Sequence, residues 1–270
     1  MITSTSNELI VSLAKLQMKK YRDKENKFIV CTPKLIKEAI NAGYLPSLIL
    51  HLQECDVSWA EQFKREIVSE SVLKKLCGDY SSQGCVAVFE YLKEKNEQAG
   101  NFIVLDRIQD PGNVGAILRS ALGANFLNVY LIDCADVYDL KTLRAGMGSV
   151  FHLNIFKLSE EELIKKLDCE NKKLICLDMN GENVFASSFD KNCGFVVGNE
   201  GRGVSEKIRQ ICSKTVCIPM NEKLESLNAA VSASIVMYQV SNKWEKFCCV
   251  YNKIVVNWYR IKKGESYERT

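Results

Sequence analysis

Apolar side chains at Leu9, Ile10, Leu13 and Leu16 recur every three to four positions, a spacing that predicts an amphipathic helix over residues 7–20. The pattern then changes to short unbroken apolar runs. "FIVC" at 28–31, "SLILHL" at 47–52 and "CVAVFEY" at 85–91 read as strands. Between them, helices are expected over "KLIKEAINAGY", where Pro33 suits a first turn and Gly43 a stop, and within "EQFKREIVSESVLKKLCG" at 61–78. Residues 92–101 are polar and aperiodic and read as a linker. Beyond it the periods alternate regularly. Strands are expected at 102–106, 128–133, 173–178, 194–200 and 215–219, and helical segments at 113–122, 140–148, from Ser159, at 205–212 and at 224–240. Ser159 and Glu162 form a capping box. Strands that are apolar throughout and separated by helices predict an α/β fold whose parallel sheet is covered on both faces.

The chain has 270 residues, 47% of them hydrophobic, enough for two domains. No apolar run approaches the roughly 20 residues of a membrane span, and the first residues lack a secretory signal pattern, so a cytoplasmic protein is expected. Twelve cysteines are scattered without a Cys-x-x-Cys pair and read as reduced thiols. With only His51 and His152 besides, no metal site is expected.

The net charge of +3 excludes little, but its distribution is uneven. Residues 15–37 hold eight basic side chains against Asp23 and Glu25, and residues 242–270 hold seven against three acidic ones. Either run alone reads as a solvated face; together they make a polyanion a plausible partner.

In an open parallel sheet, ligands lie beyond the carboxyl ends of the strands. Three loops there have unusual composition: "DRIQDPGN" after the first strand of the second half, "GNEGRG" after "FVV", and "PMNEKLESLN" after "TVCI". The first leads into a helix carrying one guanidinium, Arg119, six residues after Asn113. The second offers Gly198, Gly201 and Gly203 for sharp turns and close backbone approach. The third offers Glu225, Ser226 and Asn228, able both to cap the next helix and to meet a ligand. Neither a Gly-x-Gly-x-x-Gly after the first strand nor a Walker A loop is present, which disfavours a dehydrogenase with Asp133 on a ribose and a nucleoside-triphosphate site.

Taken together, "DRIQDPGNVGAILRSA", "VVGNEGRGVS" and "IPMNEKLESLNAAVSASI" resemble the three motifs of the SpoU, or TrmH, family of RNA ribose 2′-O-methyltransferases over about residues 101–240. "KLQMKKYRDKENKFIVCTPKLIKEAINAGY" more loosely resembles the L30e-like substrate-binding domain frequent in that family. The resemblance implies an L30e-like domain at 1–98 and a SPOUT methyltransferase domain with a trefoil knot at 99–242; residues 243–270 match no part of the family and read as a basic extension of unknown role. It implies S-adenosylmethionine as cofactor, RNA as substrate and a homodimer formed through the knotted domain, with an active site drawing on both subunits. By motif, the catalytic set falls on Asn113, Arg119, Glu200, Ser226 and Asn228, and the cofactor set on Gly198, Gly203, Ile218, Met220 and Leu227. RNA contacts are expected from Lys19, Lys20, Arg22, Lys24, Lys27 and Arg144. Two departures stand out: Cys31 and Thr32 replace the family's usual Glu-Gly, and "RAG" at 144–146 replaces Arg-Ala-Ser.

Because a sulfonium methyl is already activated, the expected work is alignment of a ribose hydroxyl and stabilisation of developing negative charge. A guanidinium stays protonated, so Arg119 is expected to grip phosphate and hydroxyl rather than act as a base. Glu200 is expected to orient it, while Ser226 and Asn228 hold the ribose. The L30e-like domain favours large-subunit ribosomal RNA; transfer RNA methylation and a non-catalytic RNA-binding relative are the alternatives.

Overall fold

The computed structural model describes residues 1–241, so the expected extension at 243–270 lies outside the described residues. The first helix is shorter than its periodicity suggests: α1 (Glu8–Ala14) runs into one 3-10 turn, and a separate helix, α2 (Lys19–Glu25), follows. Met18, extended at φ −98° and ψ 129°, breaks the helix expected over 7–20 and redirects the chain. Then come β1 (Lys27–Cys31), α3 (Pro33–Asn41), β2 (Leu48–His51), β3 (Arg65–Ile67), α4 (Glu70–Cys77) and β4 (Cys85–Glu90). The four strands form one sheet in the order β1-β4-β2-β3, with β4 antiparallel to both neighbours and β3 parallel to β2. β3 corrects the purely helical reading of 61–78. Residues 64–68 line the edge of β2, where Ile49 N donates to Lys64 O and Val68 N to His51 O, both at 2.9 Å, and helix forms only from Glu70.

The second sheet is built by β5 (Phe102–Asp106), α5 (Pro111–Gly123), β6 (Asn128–Ile132), α6 (Leu140–Gly146), β7 (Asn154–Lys157), α7 (Glu160–Cys169), β8 (Leu174–Asn183), β9 (Gly194–Gly198), α8 (Glu206–Gln210), β10 (Cys212–Cys217) and α9 (Ala229–Val240). All six strands are parallel, in the order β10-β8-β9-β5-β6-β7. β7 was not anticipated, being a four-residue edge strand that follows a 3-10 turn too closely to show a period of its own. The helix expected over 224–240 starts only at Ala229, because Asn228 caps it and leaves 224–228 as loop. Strand order reverses between β5 and β9, the point where open α/β sheets bind ligands.

Residues 91–101 join the sheets and are tied down along their length. Leu92 N donates to Tyr138 Oη (3.1 Å), Lys95 Nζ to Phe151 O (2.9 Å), and Gln98 exchanges bonds with the Asn128 side chain (3.1 and 2.6 Å). Glu97 pairs with Lys166 (2.6 Å) and with Lys172. Aromatic rings close the seam between the sheets: Phe28 stacks on Tyr138 at 4.5 Å and Tyr91 on Tyr138 at 4.3 Å.

Arg22 also belongs to this seam. It is 2% exposed, donates from Nε and Nη2 to Asp136 Oδ2 (2.9 and 2.7 Å), and donates from Nη1 to the carbonyls of Leu16 and Gln17. Its expected RNA contact is thereby corrected: the turn at Met18 rotates Arg22 inward, and a buried guanidinium needs these acceptors. No helix among the described residues is long and apolar enough to cross a membrane.

Candidate active site

Asp106 and Gly198 are register partners at the ends of β5 and β9, so the loops that follow leave the sheet side by side. The loop after β9 is compact. A Cβ on Gly198 would overlap the backbone of Gly203, and Gly203 itself adopts φ +66°. Gly203 N donates to Asn199 O (2.8 Å), while Asn199 Oδ1 accepts from Gly201 N (3.0 Å) and Arg202 N (3.1 Å).

The loop after β5 turns into α5 at Pro111, where the fixed φ of proline suits a first turn. Asp110 caps that helix by accepting from Asn113 N (3.0 Å), and Lys141 Nζ bonds its other oxygen (2.7 Å). Lys141 and the Asn113 N–H hold the Asp110 carboxyl below the usual carboxylate range. Asn113, fixed in the first turn, links the other two loops. Its Nδ2 donates to Glu200 Oε1 (2.6 Å), and its Oδ1 accepts from Asn228 Nδ2 (2.9 Å). Asn228 Oδ1 in turn accepts from Ala230 N (2.9 Å) and Val231 N (3.2 Å), so one carboxamide serves as both cap and link.

Beside this chain of side chains lies a cavity of about 420 Å³. Leu177, Val197, Val216, Ile218 and Leu227 give it apolar walls, and Gly198 and Gly203 expose bare backbone. Met220, Ser226 and Glu200 also line it. An apolar slot of this size with a few fixed polar groups fits a nucleoside-sized ligand. The five residues expected to hold a cofactor all line this one cavity, and Glu200 and Ser226 of the catalytic set join them.

Arg119 does not. It is exposed on α5, its side chain makes no hydrogen bond or ion pair with any described residue, and it lines no part of the cavity. Six residues beyond Asn113, it stands about 9 Å further along the helix and roughly two-thirds of a turn around it. The carboxylate expected to orient it, Glu200, bonds Asn113 instead within the chain.

Among the basic residues assigned to RNA, Lys20 and Lys24 are exposed, Lys27 is half-buried, and Lys19 pairs with Asp23 at 3.0 Å. Arg144 is exposed with its guanidinium 4.8 Å from the Tyr80 ring centre, a cation–π contact across the two sheets. One wall of the cavity was missed in the sequence: Asp178 and Arg209, paired at 2.5 Å. Burial opposes ionisation of Asp178, yet Arg209 and the Asn180 N–H keep its carboxyl below the ordinary range. Its place at the end of an apolar run, "KLICLD", was the available signal. Among the described residues no group of three His, Cys, Asp or Glu side chains converges on a metal-sized site, and the cysteines are free thiols.

Residues 100–238 match the model of the SpoU rRNA Methylase family, and residues 7–87 match that of the MRM3-like substrate binding domain. The chain is 29% identical over 243 residues, covering 88% of itself and 98% of its relative, to the 23S rRNA (guanosine(2553)-2′-O)-methyltransferase RlmP of Bacillus subtilis. Its fold is similar to an AdoMet-bound rRNA methyltransferase from Sinorhizobium meliloti, with TM-score 0.80, 26% identity and coverage of 88% and 95% of the two chains. It is likewise similar to the SpoU methyltransferase AviRb of Streptomyces viridochromogenes in complex with AdoMet, with TM-score 0.79, 25% identity and coverage of 86% and 96%.

Proposed function

The chain belongs to the SpoU rRNA Methylase family, and from that membership together with the cavity we infer that it is an S-adenosylmethionine-dependent RNA ribose 2′-O-methyltransferase acting on large-subunit ribosomal RNA. The observation that carries this reading is the meeting of three loops at one cavity, bridged by the Asn228–Asn113–Glu200 chain of hydrogen bonds.

Gly198, Gly203, Ile218, Met220 and Leu227 are the residues that would hold the cofactor, in an apolar slot with bare backbone at one side. When bound, it supplies a methyl group already activated on sulfur. The chain's own residues then have two tasks, placing a ribose hydroxyl and stabilising the charge that develops on its oxygen. Ser226 and Asn228, at the cavity and beside Asn113, hold the ribose. Asn113 is locked between a carboxylate and a carboxamide, so its orientation is set before substrate arrives. Glu200 bears the negative charge that draws a guanidinium to this rim.

That guanidinium is Arg119 of a second copy. An exposed, unpaired arginine outside its own chain's cavity supports a homodimer in which each α5 completes the neighbouring site. Val231, 46% exposed on α9 beside α5, supports the same contact surface. A trefoil knot is supported by the path of residues 218–228, which leave the outermost strand β10 and return to α5 to place Asn228 on Asn113. Residues 1–98 form the L30e-like substrate-binding domain and 99–242 the catalytic domain, and the protein works in the cytoplasm, where its RNA is.

Transfer of tritiated methyl from S-adenosylmethionine to rRNA from cells lacking the gene, followed by mapping of 2′-O-methyl sites, tests the reading. Methylation of one large-subunit position is expected. Methylation of transfer RNA alone would change the substrate, and cofactor binding without transfer to either RNA would refute catalysis.

A further inference from the structure

We propose that Asp106 and Arg107 are positioning residues that set the shape of the cofactor loop, an inference resting on the methyltransferase reading. Asp106 ends β5 with 0% exposure, and a fully buried carboxylate must be met by donors. Its Oδ2 accepts from Ser205 N (2.6 Å), and its Oδ1 accepts from Arg107 Nε (3.0 Å). Ser205 is the residue before α8 and closes the loop that Gly198 opens. At the loop's other end, Asn199 Nδ2 donates to the carbonyl of Arg107 (3.0 Å). Arg107 adopts φ +59°, a left-handed conformation that costs energy for a side chain of this size. That turn lets one residue present its carbonyl to Asn199 and its guanidinium to Asp106.

The loop is therefore suspended at both ends from two consecutive residues, the last of the neighbouring strand β5 and the one after it, and neither lines the cavity. A buried carboxylate is an expensive way to fill space, and an apolar side chain would serve the core as well. What the carboxylate adds is a fixed, directional anchor for the Ser205 N–H, and through it for the Gly198 to Gly203 backbone.

The test compares the wild-type chain with Asp106→Ala, Asp106→Asn and Arg107→Gly, measuring the Kd of S-adenosylmethionine by calorimetry, kcat, the KM values for cofactor and RNA, and melting. Asp106→Ala is expected to raise the cofactor Kd and KM about tenfold or more, the scale of a lost hydrogen bond to a charged group, with RNA KM and saturated kcat nearly unchanged. Asp106→Asn keeps an acceptor for Ser205 N and is expected to recover most of the affinity. Arg107→Gly accepts the positive φ without strain and removes the counterion, and is expected to weaken cofactor binding about threefold. Should Asp106→Ala fail to fold, the Arg107→Gly affinity decides, and an unchanged value overturns the proposal. So do wild-type affinity in Asp106→Ala, equal damage in Asp106→Asn, or a parallel fall of RNA affinity and kcat. A wild-type chain that bound no S-adenosylmethionine would overturn the methyltransferase reading as well, whereas normal wild-type binding with indifferent variants would overturn this proposal alone.

Discussion

Replacing Arg22 by alanine separates its observed place in the seam from the RNA contact its charge first suggested. The guanidinium makes two bonds to Asp136 and two to backbone carbonyls, and both partners of the ion pair have side chains less than 5% exposed. Without it, Asp136 retains Lys157 at 3.4 Å as its remaining ion-pair partner. Breaking one side of a buried pair costs about 3–5 kcal/mol. At about 2–4 °C per kcal/mol for a chain of this size, the melting temperature should fall on the order of 10 °C. Circular dichroism melts give that number, and RNA binding over a salt series gives the other half of the test. Arg22→Ala should leave the slope of log affinity against log salt unchanged, whereas Lys20→Ala with Lys24→Ala should lower it by about one to two with little change in melting. The double variant Arg22→Met, Asp136→Leu should lose less than the two single changes added together. A drop in melting below about 2 °C for Arg22→Ala, or a salt slope reduced by about one, would refute the assignment.

Mixing Arg119→Ala subunits with Asn228→Ala subunits should restore methyl transfer, because each heterodimer regains one site holding both residues; inactivity of the mixture would place Arg119 on its own chain's site. Gly198→Ala should weaken cofactor binding sharply by calorimetry and lower the melting temperature as well, since the added carbon meets the Gly203 backbone and the loop must shift to admit it. Thr32 holds φ +82° at the position where the family usually has glycine, so Thr32→Gly should stabilise the protein by about 1 kcal/mol in denaturant titration, the strain relieved exceeding the weak cap at Leu35 N. Burial pushes the Glu97 carboxyl up, but Lys166 and Lys172 outweigh it and hold it low. Its contribution to stability is thus complete above about pH 4.5 and lost as the pH falls through the folded value, so Glu97→Gln should flatten the acid limb of stability against pH.

Much of the site was readable because its residues sit within loops at strand ends, where one rule about parallel sheets locates ligands. Asn113 lies 87 residues from Glu200 and 115 from Asn228 in the chain, yet it is within hydrogen-bond distance of both. The failures have a common physical origin. Arg22 looked like its neighbours Lys20 and Lys24, and only the break at Met18, set by tertiary packing, turned it inward. β3 and β7 are edge strands of three and four residues, too short for a period and specified by the strand they join. Asp106 and Arg107 were visible as letters, but their partner Ser205 lies ninety-nine residues from Asp106 and no local pattern connects them.

The tied-down connection between the two sheets has a mechanical consequence. With residues 91–101 bonded along the catalytic half and aromatic rings stacked across the join, the first sheet has little freedom to swing toward a substrate. On the proposed reading, an RNA held by the first sheet and presented to the cavity meets a preset gap, and it is the RNA that bends to match that span.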